Sequence, residues 1–116
     1  MAEPMKCIST HVLDVSRGQP ASNVPVRLQR REKDGEWRLL QSATTDQDGR
    51  CPELLSGELL PGLYRLMFDT ARYFDGQKVT SLYPIVEITF QVREGETQFH
   101  IPLLLSAHGY TTYRGS

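Results

Sequence analysis

The segment Thr97-Gln98-Phe99-His100-Ile101-Pro102-Leu103-Leu104-Leu105-Ser106 decides what kind of fold this chain adopts. Side chains alternate faces along a strand, so Phe99, Ile101, Leu103 and Leu105 share one side and suit a core. The opposite side carries Gln98, His100, Pro102, Leu104 and Ser106. A sandwich strand normally turns a polar face to water; Leu104 and Pro102 make this one partly apolar. Another subunit packed there is the simplest explanation, with a loop or helix laid over it as the alternative. Pro102 has no N–H to donate, so the ladder to a neighbouring strand is expected to open near it.

The same alternation recurs on both sides of that segment. Cys7 to Val15 opens the fold as a strand. Val24, Val26 and Leu28 face away from Arg27 and Gln29 in a strand from Val24 to Arg31. Lys33-Asp34-Gly35 signals a hairpin turn into Glu36 to Thr45, which carries Trp37 and Leu39. Asp46-Gln47-Asp48-Gly49 is a further turn, with Arg50 just after it. Leu63 to Asp69 places Tyr64, Leu66 and Phe68 on one side, and Pro84 to Val92 turns Val86, Ile88, Phe90 and Val92 inward. Tyr110 to Gly115 is the last strand, joined to the preceding one at Ala107-His108-Gly109. Thr70 to Gly76 reads as one short helix, with Thr70 as its N-cap and Gly76 as its stop. Seven or eight short strands in a chain of 116 residues indicate an all-β, two-sheet sandwich forming a single domain over residues 1–116.

Composition narrows the function classes. Hydrophobic residues make up 39% and charged residues 23%, an ordinary folded mix. Lys and Arg number 13 against 14 Asp and Glu, leaving a net charge of −1 and no basic excess for nucleic acid. No apolar run is long enough to span a bilayer as a helix. The opening Met1-Ala2-Glu3-Pro4-Met5-Lys6 lacks the apolar core of a secretory signal, and Arg114-Gly115-Ser116 is not a peroxisomal address. A cytoplasmic setting is therefore expected, with a peroxisome as the eukaryotic alternative. Cys7 and Cys51 read as reduced thiols rather than a bridge.

Residues able to carry chemistry are few. His11 lies on the first strand's face shared with Ser9 and Leu13. His100 lies on the non-core face of its strand, and Arg50 follows the Asp-Gly turn. Each has an ordinary alternative: a hydrogen-bonded surface imidazole, or a solvated charge. His108 sits in a turn and reads as solvent-facing. A terminal Tyr113-Arg114-Gly115-Ser116 would normally fray. Here the strand pattern continues almost to the last residue, which predicts that Ser116 and its carboxylate lie on the folded body.

These same residues carry a family resemblance. Ser9-Thr10-His11-Val12-Leu13-Asp14 is similar to the opening signature of the 5-hydroxyisourate hydrolases, the transthyretin-related enzymes. Asp46-Gln47-Asp48-Gly49-Arg50-Cys51-Pro52 resembles their second block. His100-Ile101-Pro102-Leu103-Leu104-Leu105-Ser106, closing with Tyr110-Thr111-Thr112-Tyr113-Arg114-Gly115-Ser116, resembles their C-terminal signature, and the Tyr-Arg-Gly-Ser ending is its most specific part. One departure is Tyr83-Pro84-Ile85-Val86-Glu87, where animal members tend to have Tyr-Pro-Tyr-Val-Glu. The resemblance implies a transthyretin-like sandwich with one short helix. It also implies a homotetramer built as a dimer of dimers, with sites where the dimers face each other. The implied reaction hydrolyses an amide-type ring bond of 5-hydroxyisourate, giving 2-oxo-4-hydroxy-4-carboxy-5-ureidoimidazoline on the route from urate to allantoin, without a cofactor or metal. His11, Arg50, His100 and Ser116 match the catalytic set. His11, Arg50, Tyr113, Arg114 and Gly115 match substrate contacts. Two rivals remain: a transthyretin-like carrier of small aromatic ligands, and a zinc hydrolase using His11, His100 and His108. Against the zinc reading, the three histidines lack the spacing of a helical ligand pair.

Overall fold

The computed structural model describes residues 6–116, and the side chain of Lys6 is not described. The first five residues of the opening read as lacking a signal core lie outside the described residues. Nine strands and one helix follow in chain order: β1 (Lys6–Asp14), β2 (Gln19–Pro20), β3 (Pro25–Arg31), β4 (Trp37–Thr44), β5 (Arg50–Ser56), β6 (Gly62–Phe68), α1 (Thr70–Asp75), β7 (Val86–Val92), β8 (Phe99–Ser106) and β9 (Gly109–Thr112). None of the described helices is long and apolar enough to cross a membrane.

The strands form two sheets. One runs β4-β3-β6-β7 with every neighbour antiparallel. The other runs β2-β1-β8-β9, with β5 lying along β1 on the same side as β2. Its central pair, β1 and β8, is parallel, from Ile8 opposite Phe99 to Asp14 opposite Leu105.

Alternation sorts each strand between the two sheets' inner and outer surfaces. Ile8 and Val12 of β1 and Phe99, Ile101, Leu103 and Leu105 of β8 are buried against Val26, Leu28, Tyr64, Leu66, Phe68, Val86 and Val92 of the other sheet. Burying each such side chain contributes roughly 1.5–3 kcal/mol relative to exposure. Polar groups inside this core are matched. Tyr64 Oη donates to Leu60 O at 2.6 Å, and Thr10 Oγ1 to Ile101 O at 2.6 Å. Asp14 accepts from Ser16 Oγ and from Tyr73 Oη, both at 2.6 Å. Burial pushes its carboxyl up. The hydroxyls of Ser16 and Tyr73 and the N–H groups of Ser16 and Arg17 outweigh that and hold it below the usual carboxylate range.

Three local readings change. The helix starts one residue earlier in role: Asp69 is the N-cap, its carboxylate accepting from Arg72 N at 3.1 Å. Thr70 is the first helical residue, and its hydroxyl donates to Tyr83 O at 2.5 Å instead. Gly76 ends the helix in a right-handed conformation, and the left-handed residue is Lys78. Strand β5 was not legible, because Arg50-Cys51-Pro52-Glu53-Leu54-Leu55-Ser56 shows no clean alternation and its pairing with β1 is broken by register shifts. The last strand stops at Thr112, three residues short of the expected end. Beyond the rung pairing Leu103 with Thr112 the β8–β9 ladder opens at Pro102, and it closes again only in the single rung His100–Gly115.

The turn after β4 locks β5 to β1. Gly49 has φ of +75°. Gly49 O accepts from Val12 N at 2.7 Å. A Cβ on Gly49 would overlap Val12 O and stand 3.1 Å from Pro20 Cβ. Gly49→Ala is therefore expected to cost about 3 kcal/mol, from left-handed strain plus the clash. Urea unfolding checks this, and a loss under about 0.5 kcal/mol would contradict the turn's geometry.

Candidate active site

The outer surface of the five-stranded sheet is ordered in rows by its register. Ser9 of β1 stands beside His100 of β8, and His11 beside Pro102. Across the other edge of β1, His11 faces Arg50 at the start of β5. A third row sets Leu13 beside Leu104 and Leu104 beside Thr111. Three short segments distant in sequence thus bring two imidazoles and a guanidinium onto one face.

The turn residues 46–49 set two of these groups. Asp46 Oδ1 accepts from the backbone N–H of Asp48 and of Arg50, both at 2.9 Å. Gly49 N closes the turn on Asp46 O at 2.9 Å. Arg50 is thereby launched, exposed, from a rigid corner. The same turn aims the Asp48 carbonyl at His11 Nε2, 2.8 Å away. A carbonyl only accepts, so Nε2 carries the proton, and neutral His11 keeps its lone pair on Nδ1.

His100 is held from the other side. Ser9 Oγ meets its Nδ1 at 2.8 Å, which leaves Nε2 for chemistry. Burial first, then the neighbouring His11 and Arg50, lowers the His100 pKa below the usual histidine range. The ring is therefore neutral at neutral pH. The folded chain resists the proton that the unfolded chain accepts, so His100 contributes stability above the ordinary histidine pKa that is lost as pH falls through its folded value.

The tail completes the arrangement. Gly115 N donates to His100 O at 2.7 Å. A cleft of about 680 Å³ is lined by Ser9, Arg50, His100, Arg114, Gly115 and Ser116, among others. Of the residues expected at the site, Arg50, His100, Arg114, Gly115 and Ser116 meet in this cleft. His11 adjoins it through Arg50 without lining it. Tyr113 is 54% exposed and is not among the lining residues. Arg114 points its guanidinium to Glu96 and to Gln98 O, at 3.1 and 3.0 Å.

Sequence reasoning missed Ser9 and Asp48 as partners of the two histidines. Only the Asp-Gln-Asp-Gly turn chemistry hinted at the second. His108 is exposed at the far end of β8, eight residues and roughly 26 Å of strand from His100. Among the described residues no three His, Cys, Asp or Glu side chains converge as metal ligands. Cys51 is buried, and burial first and Asp46 second push its thiol up to about 11, so it is no nucleophile.

Comparison with known proteins bears on the same residues. A sequence model described as the HIUase/Transthyretin family matches residues 8–115. The chain is 45% identical to the 5-hydroxyisourate hydrolase of Mus musculus over 118 aligned residues, covering 100% of both. Its fold superposes on transthyretin from Sparus aurata with a TM-score of 0.90 at 29% identity, covering 95% of this chain and 97% of that one. It superposes on Klebsiella pneumoniae 5-hydroxyisourate hydrolase with a TM-score of 0.82 at 35% identity, covering 94% and 98%.

A Cβ on Gly115 would stand 2.7 Å from His100 Cδ2 and 3.3 Å from His100 O. Gly115→Ala must therefore push the tail or the imidazole out of place. The expected result is a cross-peak displacement of the His100 ring in a histidine-selective NMR spectrum with Tm lowered by less than about 4 °C. An unmoved His100 signal would show that the tail does not pack on the ring.

Proposed function

Because this chain belongs to the HIUase/Transthyretin family, we propose that it hydrolyses 5-hydroxyisourate, in the breakdown of urate, on the surface where His11, Arg50, His100 and Ser116 lie. The observation that carries this reading is the register of the five-stranded sheet. It sets His11 opposite Arg50 and His100 one row away, with Gly115 and Ser116 at the same cleft.

Opening an amide-type ring requires a deprotonated water, a place for the oxyanion and a proton for the departing nitrogen. His11 takes the water proton through Nδ1, since its Nε2 is committed to the Asp48 carbonyl. The water oxygen bonds to the ring carbonyl carbon, and negative charge builds on the carbonyl oxygen. Arg50, planar and permanently charged, stabilises that charge. The C–N bond then breaks, and the His11 imidazolium returns its proton from Nδ1 to the departing nitrogen, while neutral His100 donates a hydrogen bond to the substrate from Nε2. The Ser9 hydroxyl donates to His100 Nδ1 and holds that tautomer. Ser116 orients the water from the tail, and Tyr113 contacts substrate from the neighbouring subunit's side of the cleft. No cofactor or metal is required by this sequence of steps. The carrier reading is not favoured, since the 45% identical relative is a 5-hydroxyisourate hydrolase.

The working form is a homotetramer, a dimer of dimers, with the outer face of the five-stranded sheet turned toward a second dimer. The apolar row of Leu13 and Leu104 supports this, since it continues the catalytic rows on that face. Facing copies would enclose the shallow cleft, dry it and bring Tyr113 against substrate.

Freshly generated 5-hydroxyisourate should disappear faster, by its ultraviolet decay, when the protein is added. Arg50→Ala should lose about 10²–10³ in rate, and His11→Ala, His100→Ala and removal of Ser116 should each lose most of the activity. Full rates in all four would remove the site. In a histidine-selective NMR titration the wild-type His100 ring should titrate below the ordinary histidine pKa; a titration at or above it would contradict the neutral ring. Leu104→Arg should yield smaller species by light scattering after gel filtration; an unchanged tetramer would place the interface elsewhere.

A further inference from the structure

Arg114 and Glu96 form a unit that the reaction as described does not use. Glu96 lies in the turn between β7 and β8, and each carboxylate oxygen has its own task. Oε1 accepts from Arg93 N at 2.8 Å and closes the turn, while Oε2 accepts from Arg114 Nη1 at 3.1 Å. Arg114 Nη2 also donates to Gln98 O at 3.0 Å, and its guanidinium lies over the Phe99 ring, 4.1 Å from the centroid. The Arg93 N–H first, and the Arg114 charge after it, hold the Glu96 carboxyl below the usual carboxylate range, so it is ionised at neutral pH.

These contacts fall where the tail has least other support. Between Thr112 and Gly115 the β8–β9 ladder is open, so Tyr113 and Arg114 have no rung to β8. The next residue, Gly115, packs on His100 with no space for a methyl group. One planar side chain, fixed by a carboxylate, a carbonyl and an aromatic face, therefore stands immediately before the tail's contact with the catalytic ring. The pair is exposed, Arg114 by 56% and Glu96 by 27% of their side chains, so it contributes little to overall stability. Its geometry is nonetheless specific, because a guanidinium held on two edges and one face has little freedom left.

We propose that Glu96 is a positioning residue: through Arg114 it latches the tail so that Gly115 and Ser116 sit against His100 in the cleft. Arg114 on this view holds the tail rather than the substrate. The inference rests on the reading of that cleft as the reaction site.

Glu96→Ala and Glu96→Gln separate its two tasks. The amide oxygen can still accept from Arg93 N and close the turn, but it carries no charge for Arg114. Two readouts are followed: kinetics on 5-hydroxyisourate, and NMR titration of the three imidazoles, His11, His100 and His108. The groups facing the His100 ring are Ser9 and His11 from β1, Arg50 from β5 and Gly115 from the tail; only the last depends on Glu96. Both variants should melt within about 3 °C of wild type. Glu96→Ala should lose about 10-fold or more in kcat and Glu96→Gln about 3-fold, as displacement of a catalytic group predicts. The His100 titration should move up toward the ordinary histidine value as the tail lifts, with His108 unmoved. In wild type, molar salt should lower kcat toward that of Glu96→Gln. Wild-type kcat in Glu96→Ala, or a lost kcat with an unmoved His100 titration, overturns the latch. A wild-type protein inactive on 5-hydroxyisourate would instead overturn the assigned reaction, and the titration would still judge the latch.

Discussion

The parallel pairing of β1 with β8 is the constraint on which the rest depends. Parallel neighbours cannot be joined by a tight turn, so these two strands are linked only through the long connection that carries β2 to β7. Once paired, their register settles the core and the outer surface together. Ile8, Thr10 and Val12 go inward with Phe99, Ile101 and Leu103, while Ser9 and His11 go outward with His100 and Pro102. A slip of one residue would turn Phe99, Ile101, Leu103 and Leu105 to the outer face and His100, Leu104 and Ser106 into the core. The hydrophobic effect, acting on one face, therefore holds the outward groups in place on the other.

The support around those groups is mainly backbone. Asp46 shapes a turn whose Asp48 carbonyl orients His11 and whose end launches Arg50. Ser9, one row from His11, fixes the other imidazole. These partners require no mobile loops. They sit on strands and a hydrogen-bonded turn, which fixes where charge and protons can be placed.

Much of this was legible in the sequence. Alternation in β3, β6, β7 and β8 was strong enough to give the sandwich and its core. The Tyr-Arg-Gly-Ser ending and the flanking blocks carried the family. Three things were hidden. Strand β5 contains Pro52 and pairs with β1 through two register shifts, which erase the period of two. Asp69 took the cap from Thr70 because a carboxylate one residue earlier reaches the Arg72 N–H, while the Thr70 hydroxyl finds Tyr83 O. The bonds from Ser9 and Asp48 to the histidines depend on long-range register, which no local pattern encodes. Tyr113 and Arg114 stood together in the motif, yet one is left exposed and the other is tied to Glu96, because the ladder opens between them and β8.

That opening at Pro102 has a practical meaning. The sandwich is closed by buried strands, and residues 113–116 hang on it by one rung and one guanidinium. A single cut in this stretch by a protease would leave circular dichroism, melting behaviour and chromatographic purity much as before, yet strip the cleft of its wall. Intact mass, rather than any measure of foldedness, is therefore the quality criterion for a sample of this protein.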